Sequence, residues 1–228
     1  MFTLLLNEQP KILLELLELY FPARRKVKVI DLTFGRGALW SIILQNATLR
    51  SKYQLTACDA SPDSNAVAGV QAIRKNLFTD DYTALGLHDA AVFDPPYLVE
   101  RLSFDYEQAS KKSWSANNLE RHTSNPNVAF FNRRVEALKQ KASTFLKPGG
   151  LLLIKIMDPR KDGTLITHHI NIANILNDSC ELVDLAVYTR MGATTWKING
   201  HLQNLHGYWM TFKLRKSVRC VKVQDVFS

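Results

Sequence analysis

The chain has 228 residues, enough for one large α/β core, and its 46% hydrophobic and 22% charged residues are those of an ordinary globular protein. Lys and Arg outnumber Asp and Glu by 29 to 21, an excess that points to a polyanionic partner. No apolar run could span a bilayer, the start "MFTLLLNEQP" lacks the features of a signal peptide, and Cys58, Cys180 and Cys220 are too scattered for a disulfide framework or a zinc site, so an intracellular, cytoplasmic protein with no membrane partner and no metal is expected.

In chain order, "KILLELLELYF" (11–21) carries leucines on a helical stripe, with Pro10 at a first-turn position. "KVKVIDLTFGRG" (26–37) is an apolar strand running into a glycine loop, and "ALWSIILQN" (38–46) is the helix after it. "YQLTACDAS" (53–61) is a second strand ending on an acid, and "PDSNAVAGVQAIRKNLF" (62–78) has helical spacing. "DAAVFDPPY" (89–97) is a buried strand that must stop at Asp94, because two prolines can neither continue a helix nor donate to a sheet ladder. "FFNRRVEALKQKASTFL" (130–146) is a helix that "KPGG" (147–150) terminates, and "LLLIKIMD" (151–158) is a strand. "THHINIANILND" (167–178) reads as a helix, followed by strands at 181–190 and 206–215. His168 and His169 are adjacent and face different ways on a helix, so they read as structural or solvent residues.

Strands alternating with helices predict an α/β fold, a Rossmann-like doubly wound sheet, mostly parallel. The last two strands have little helical pattern between them, so they are expected to form an antiparallel pair at one edge. Ligands of such sheets bind beyond the carboxyl ends of the strands. No repeat or linker divides the chain, so 1–228 is read as a single domain.

The acids and glycines fall at those strand ends. Asp31 closes one strand, and Gly35 and Gly37 follow it, where glycine lets the backbone approach a ligand. Trp40 stands where a dinucleotide fingerprint would place its third glycine, which disfavours a pyrophosphate cofactor. Asp59 ends the second strand at a distance suited to a ribose diol, and Asp80 or Asp81 precedes the next.

Asp31-x-x-x-Gly35-x-Gly37 followed by Asp94-Pro95-Pro96-Tyr97 resembles the class I S-adenosylmethionine-dependent methyltransferases, and among them the amino-methyltransferases of nucleic acids. The likeness covers roughly residues 1 to 215, and it agrees with one antiparallel strand near the edge. It implies S-adenosylmethionine as cofactor, with Gly35 and Gly37 at its methionine part, Asp31 near its amino group, Asp59 on the ribose and Asp80 or Asp81 at the adenine. "NEQP" (7–10) lies where such enzymes supply another cofactor wall. It implies DNA or RNA as substrate. N6 of adenine is the preferred target, with N4 of cytosine or a catalytically silent nucleic-acid-binding subunit as alternatives.

An exocyclic amine is a poor nucleophile because its lone pair is delocalised into the ring. Asp94 and the Pro95 carbonyl would accept its two N–H groups, Pro96 would stiffen the loop, and Tyr97 would stack on the base. Transfer to cytosine C5 would need a cysteine nucleophile, and the chain has no Pro-Cys pair. Residues 98–134 read as a substrate-binding insertion, in which Phe104, Tyr106 and Trp114 interleave with Arg101, Lys111, Lys112 and Arg121. The segment 190–206 is a candidate second wall, "ARRKVK" (23–28) is a basic approach to the first strand, and 215–228 is a basic tail.

Overall fold

The computed structural model describes residues 5–6, 8–24, 26–95, 128–158, 160–161, 164–189, 197–198, 201–202 and 206–216. After the short strand β1 (Leu5–Leu6), helix α1 (Gln9–Tyr20) begins with Pro10, whose missing N–H costs nothing in a first turn. Its leucine stripe is buried through Ile12, Leu13, Leu16 and Leu17. Then come β2 (Val27–Asp31), the short helices α2 (Ser41–Gln45) and α3 (Ala47–Lys52), and β3 (Tyr53–Asp59). The Asn46 side chain caps α3 by accepting from the Leu49 N–H. The chain continues through β4 (Ile73–Arg74), β5 (His88–Phe93), α4 (Val128–Phe145) and β6 (Leu146–Met157). A two-residue pair, β7 (Arg160–Lys161) and β8 (Thr164–Leu165), leads to α5 (His168–Leu176) and β9 (Cys180–Thr189). A second small pair, β10 (Lys197–Ile198) and β11 (His201–Leu202), precedes β12 (His206–Leu214).

The main sheet has eight strands in the order β1-β9-β12-β6-β5-β2-β3-β4. Every pairing in it is parallel except the two made by β12, which runs against both β6 and β9. The α/β class and the one reversed strand near the edge are therefore as expected. The antiparallel pair of the last two strands also forms, but β12 lies inside the sheet rather than at its rim. Successive residues of the central strands point to opposite faces. Ala90, Val92, Leu151 and Leu153 pack under α1 and α2, with Trp40 and Trp209. Ala91, Phe93, Leu152 and Ile154 pack under α4 and α5, with Phe131, Leu138, Ile172 and Leu176.

Three expectations need correction. Residues 62–78 are not a helix. Asp63 Oδ1 accepts the Asn65 N–H in a local turn, Val67 N–H goes to the Arg36 carbonyl, and Ala68 and Gly69 adopt φ of 55° and 67°. Ile73–Arg74 then joins the sheet beside Cys58–Asp59. The helical spacing was real, but the polar "PDSN" start offered the backbone nearer partners. Second, 38–46 begins as a 3-10 turn, Ala38–Trp40, before α2, and "KPGG" belongs to β6 itself, with α4 ending at Phe145. Third, α4 starts at Val128 rather than 130, so the end of the 98–134 segment is helical, with Phe131 and Arg134 buried.

Candidate active site

Asp31, Asp59 and Asp94 all lie at the carboxyl edge of the sheet, at or just beyond the ends of the adjacent strands β2, β3 and β5. Leu32 to Gly37 form the loop above β2. Gly35 and Gly37 have φ of 55° and 75°, in the left-handed region that favours glycine. At Gly37 an added Cβ would overlap the Phe34 ring, so the residue type is fixed by packing as well. At Gly35 the nearest atom to such a Cβ is the Thr33 carbonyl oxygen at 4.0 Å, which leaves the loop open on that side.

Both loop acids brace the loop. The Trp40 indole N–H donates to Asp31 Oδ2 at 2.6 Å and the Thr33 N–H to Oδ1 at 2.8 Å. Burial drives the Asp31 carboxyl up to about 7; the two hydrogen bonds act against that, and the negative charges of Asp94 and Asp59 add to it. Asp59 takes the Gly35 N–H on Oδ2 and the Ser61 N–H on Oδ1, both at 2.8 Å. Burial raises its pKa too, against those two hydrogen bonds. Asp31 Oδ1 also accepts the Thr33 hydroxyl at 3.4 Å, whereas Asp31 Oδ2 and both Asp59 oxygens each accept one of these bonds and keep a lone pair to offer.

Asp94 is tied to both the glycine loop and the next strand. Its N–H donates to Thr33 Oγ1 at 2.7 Å, and its Oδ2 accepts from Lys155 Nζ at 2.8 Å. The pair is largely shielded, with side-chain exposures of 13% for Lys155 and 20% for Asp94. Lys155 stands opposite Trp209 in the β6–β12 ladder, and the Trp209 indole N–H donates to Gln9 Oε1 at 3.1 Å. Gln9 thus ties the start of α1 to the sheet. Pro95 is buried behind Asp94.

Asp80 and Asp81 lie beyond β4 on the surface. Asp80 accepts the Asn76 N–H and the Thr79 hydroxyl, which hold its carboxyl below the usual range. Asp81 accepts the Thr83 hydroxyl and N–H, with the same result. Pro96, Tyr97, Arg101, Phe104, Tyr106, Lys111, Lys112, Trp114 and Arg121 lie outside the described residues, as does most of 190–206.

Sequence reasoning missed Thr33 and Lys155, whose roles depend on strand neighbours rather than chain neighbours. It also missed the partners of the two histidines. His169 Nδ1 lies 2.5 Å from Oδ2 of the buried Asp158 at the end of β6, and its ring stacks on Tyr208 at 4.3 Å. His168 is fully buried 4.3 Å from the Phe131 ring, with no hydrogen-bond partner for either ring nitrogen among the described residues. Burial pushes it down to about 4. No cluster that could hold a metal ion occurs among the described residues, nor any helix long and apolar enough to cross a membrane.

No protein-family description and no curated protein matches the chain in sequence. Solved structures do match in shape. The 1,6-didemethyltoxoflavin-N1-methyltransferase of Burkholderia thailandensis, with bound 1,6-didemethyltoxoflavin and S-adenosylhomocysteine, is 13% identical at a TM-score of 0.53, over 91% of this chain and 78% of that one. The chain shares the Rossmann-like fold of this methyltransferase. The N-methyltransferase NodS of Bradyrhizobium japonicum WM9, in complex with S-adenosyl-L-homocysteine, is 12% identical at a TM-score of 0.51, over 91% of this chain and 88% of that one. TrmN from Thermus thermophilus is 13% identical at a TM-score of 0.51 over 90% of this chain, which spans 48% of the TrmN chain. At such identities the likeness concerns architecture, and chemistry has to be argued from the site.

Proposed function

We propose that the chain is an S-adenosylmethionine-dependent methyltransferase acting on an exocyclic base amine of nucleic acid, with N6 of adenine preferred. The observation that carries this reading is Asp94-Pro95 at the end of β5, beside the glycine loop of β2 and tied to it through Thr33. What supports a cofactor at this loop is the open space over Gly35 and the carboxylates of Asp59 and Asp31, which hold the Gly35 and Thr33 N–H groups. Gly35 and Gly37 would face its methionine part, Asp31 its amino group and Asp59 its ribose. Asp80 or Asp81 would meet its adenine. When bound, it supplies an electrophilic methyl on a cationic sulfur.

The chain's own part is to position and activate the amine. Lys155 holds Asp94 Oδ2, which leaves Oδ1 to accept one N–H of the target. The Pro95 carbonyl would accept the other. Two acceptors on one amine would favour a pyramidal nitrogen with its lone pair directed at the methyl group that the cofactor would supply. Tyr97 would stack on the base, and the positions from Arg101 to Arg121 would meet phosphates and flanking bases. N4 of cytosine presents the same two N–H groups and is the close alternative. A silent nucleic-acid-binding subunit is the second reading, favoured by the existing engagement of Asp94 with Lys155.

The deciding experiment is incubation with methyl-labelled cofactor and separate DNA and RNA pools, followed by nucleoside analysis. Label in N6-methyladenosine or its deoxy form is the expected result. Cofactor binding with no labelled nucleoside from either pool would favour the silent subunit.

A further inference from the structure

The basic stretches at 23–28 and 213–222 are nearly two hundred residues apart in sequence, yet their described residues meet at the end of the sheet opposite Asp94. β2, β5 and β6 begin on this edge and the reversed β12 ends on it. The buried Asp89 organises it. Arg24 Nη1 and Lys147 Nζ approach its Oδ1 at 2.5 and 2.8 Å, and the Lys28 N–H donates to its Oδ2 at 2.9 Å. A cavity of about 460 Å³ opens beside it, walled by Phe21 to Arg24 on one side and Lys147 to Gly150 on the other. Lys213 and Lys216 overhang the same wall: a Cβ added at Gly149 would lie 3.9 Å from Lys213 Cε and 3.5 Å from Lys216 Cε.

The charge here is lopsided. Arg24, Lys26, Lys28, Lys213 and Lys216 are exposed and Lys147 is half-buried. Against them stand Asp89, which already holds two cations, and Glu181, opposite Lys213 in the β9–β12 ladder. Glu18 is taken by Lys52 at 2.6 Å. Lys26, Lys28, Lys213 and Lys216 make no ion pair among the described residues. The carboxyl edge is more balanced, with Asp31, Asp59 and Asp94 set against Lys155 on Asp94, Arg74 opposite Asp59 in the β3–β4 ladder and Arg36 paired with Asp63. A strand whose phosphates near the target base meet the Arg101–Arg121 positions gains further charge contacts where it reaches this basic edge. β5 has six residues, so at about 3.3 Å per residue the two edges are roughly 20 Å apart. That is about six steps of a nucleic-acid strand at 3.4 Å each.

We propose that this basic edge is a second docking surface for the phosphate backbone of nucleic acid, holding a strand while its target base lies at Asp94. It rests on the nucleic-acid reading given above and extends it to where the rest of the substrate runs. The occupant is a strand longer than about six nucleotides, and the contacts are charge-based and sequence-independent.

The test is fluorescence anisotropy of the full chain with RNA and DNA strands of about 30 and about 4 nucleotides, across roughly 50 to 200 mM salt. Wild type is compared with Lys213→Glu/Lys216→Glu, whose fold is checked by thermal melting. The expected result is a loss of about tenfold or more in affinity for the long strands, with a salt slope shallower by roughly 1.5 for two phosphate contacts, and unchanged binding of the short ones. Wild-type affinity and slope in the double variant would overturn the proposal. So would an equal loss for long and short strands, or a loss seen only with phosphatidylserine vesicles. If long-strand binding drops as expected but wild type methylates neither pool, the surface stands and the proposed activity falls. If wild type methylates and the variant binds like it, the activity stands and the surface falls.

Discussion

Lys155 Nζ lies 2.8 Å from Asp94 Oδ2, joining the strands β6 and β5 across the candidate reaction centre. The ion pair fixes which carboxylate oxygen is left for a substrate. Asp94→Ala is expected to lower the single-turnover rate of methyl transfer about a hundredfold or more, the usual cost of one preorganised transition-state contact, and to leave cofactor affinity within a fewfold. Lys155→Met should lower the rate about tenfold by freeing the carboxylate to rotate. An Asp94→Ala rate within a fewfold of wild type would reduce the Asp-Pro-Pro-Tyr stretch to a strand exit.

Gly37→Ala tests the loop. Its φ of 75° and the Phe34 ring leave no room for a methyl group. Stability should fall by about 1–2 kcal/mol and cofactor affinity by tenfold or more, read by melting and by isothermal titration. Unchanged affinity in a folded Gly37→Ala protein would remove this loop from the cofactor site.

The proposed place of Asp31 in the cofactor site predicts a pH dependence. Its carboxyl, pushed up to about 7 by burial, is charged above that pH and neutral below it. A carboxylate facing the cofactor's amino group helps only when charged. Affinity for S-adenosylmethionine should therefore weaken as pH falls from 8 to 6, and Asp31→Asn should flatten that trend while binding more weakly at pH 8. A wild-type affinity independent of pH over this range would place Asp31 in a purely structural role.

His168 sets a stability trend of opposite origin. Its folded value of about 4 lies below the ordinary value near 6.5, so the unfolded chain binds the proton first. The stability held by the neutral, buried ring is complete above about pH 6.5 and is lost as pH falls toward 4, to a limit of about 3 kcal/mol. Asp31 works the other way, since its raised value makes folding less favourable as pH rises from about 4 to 7. Denaturant titrations of wild type and His168→Phe isolate the histidine: the difference between the two proteins should change between pH 7 and pH 4.5. A constant difference would mean that the ring is hydrated or paired.

The parts that sequence made legible are those governed by local pattern. The alternation of strand and helix predicted the sheet, and the double proline after Asp94 marked the end of β5, because both follow from backbone chemistry. The segment 62–78 misled because helical spacing is a weak signal once Asp63, Asn65 and Gly69 offer turns. Thr33 and Lys155 were invisible for another reason. They meet Asp94 across the sheet, each 61 residues away in the chain, and no spacing rule reaches that far.

The reversed strand β12 also bears on how the protein is made. It inserts between β6 and β9, so both of those strands keep a bare edge until residues 206–214 leave the ribosome. Synthesis at about 5–20 residues per second leaves β6 waiting for seconds with its Leu151–Ile154 run unpaired on that side. A ribosome that stalls after β9 would release a chain with two sticky apolar strands, a substrate for chaperones and a seed for aggregation.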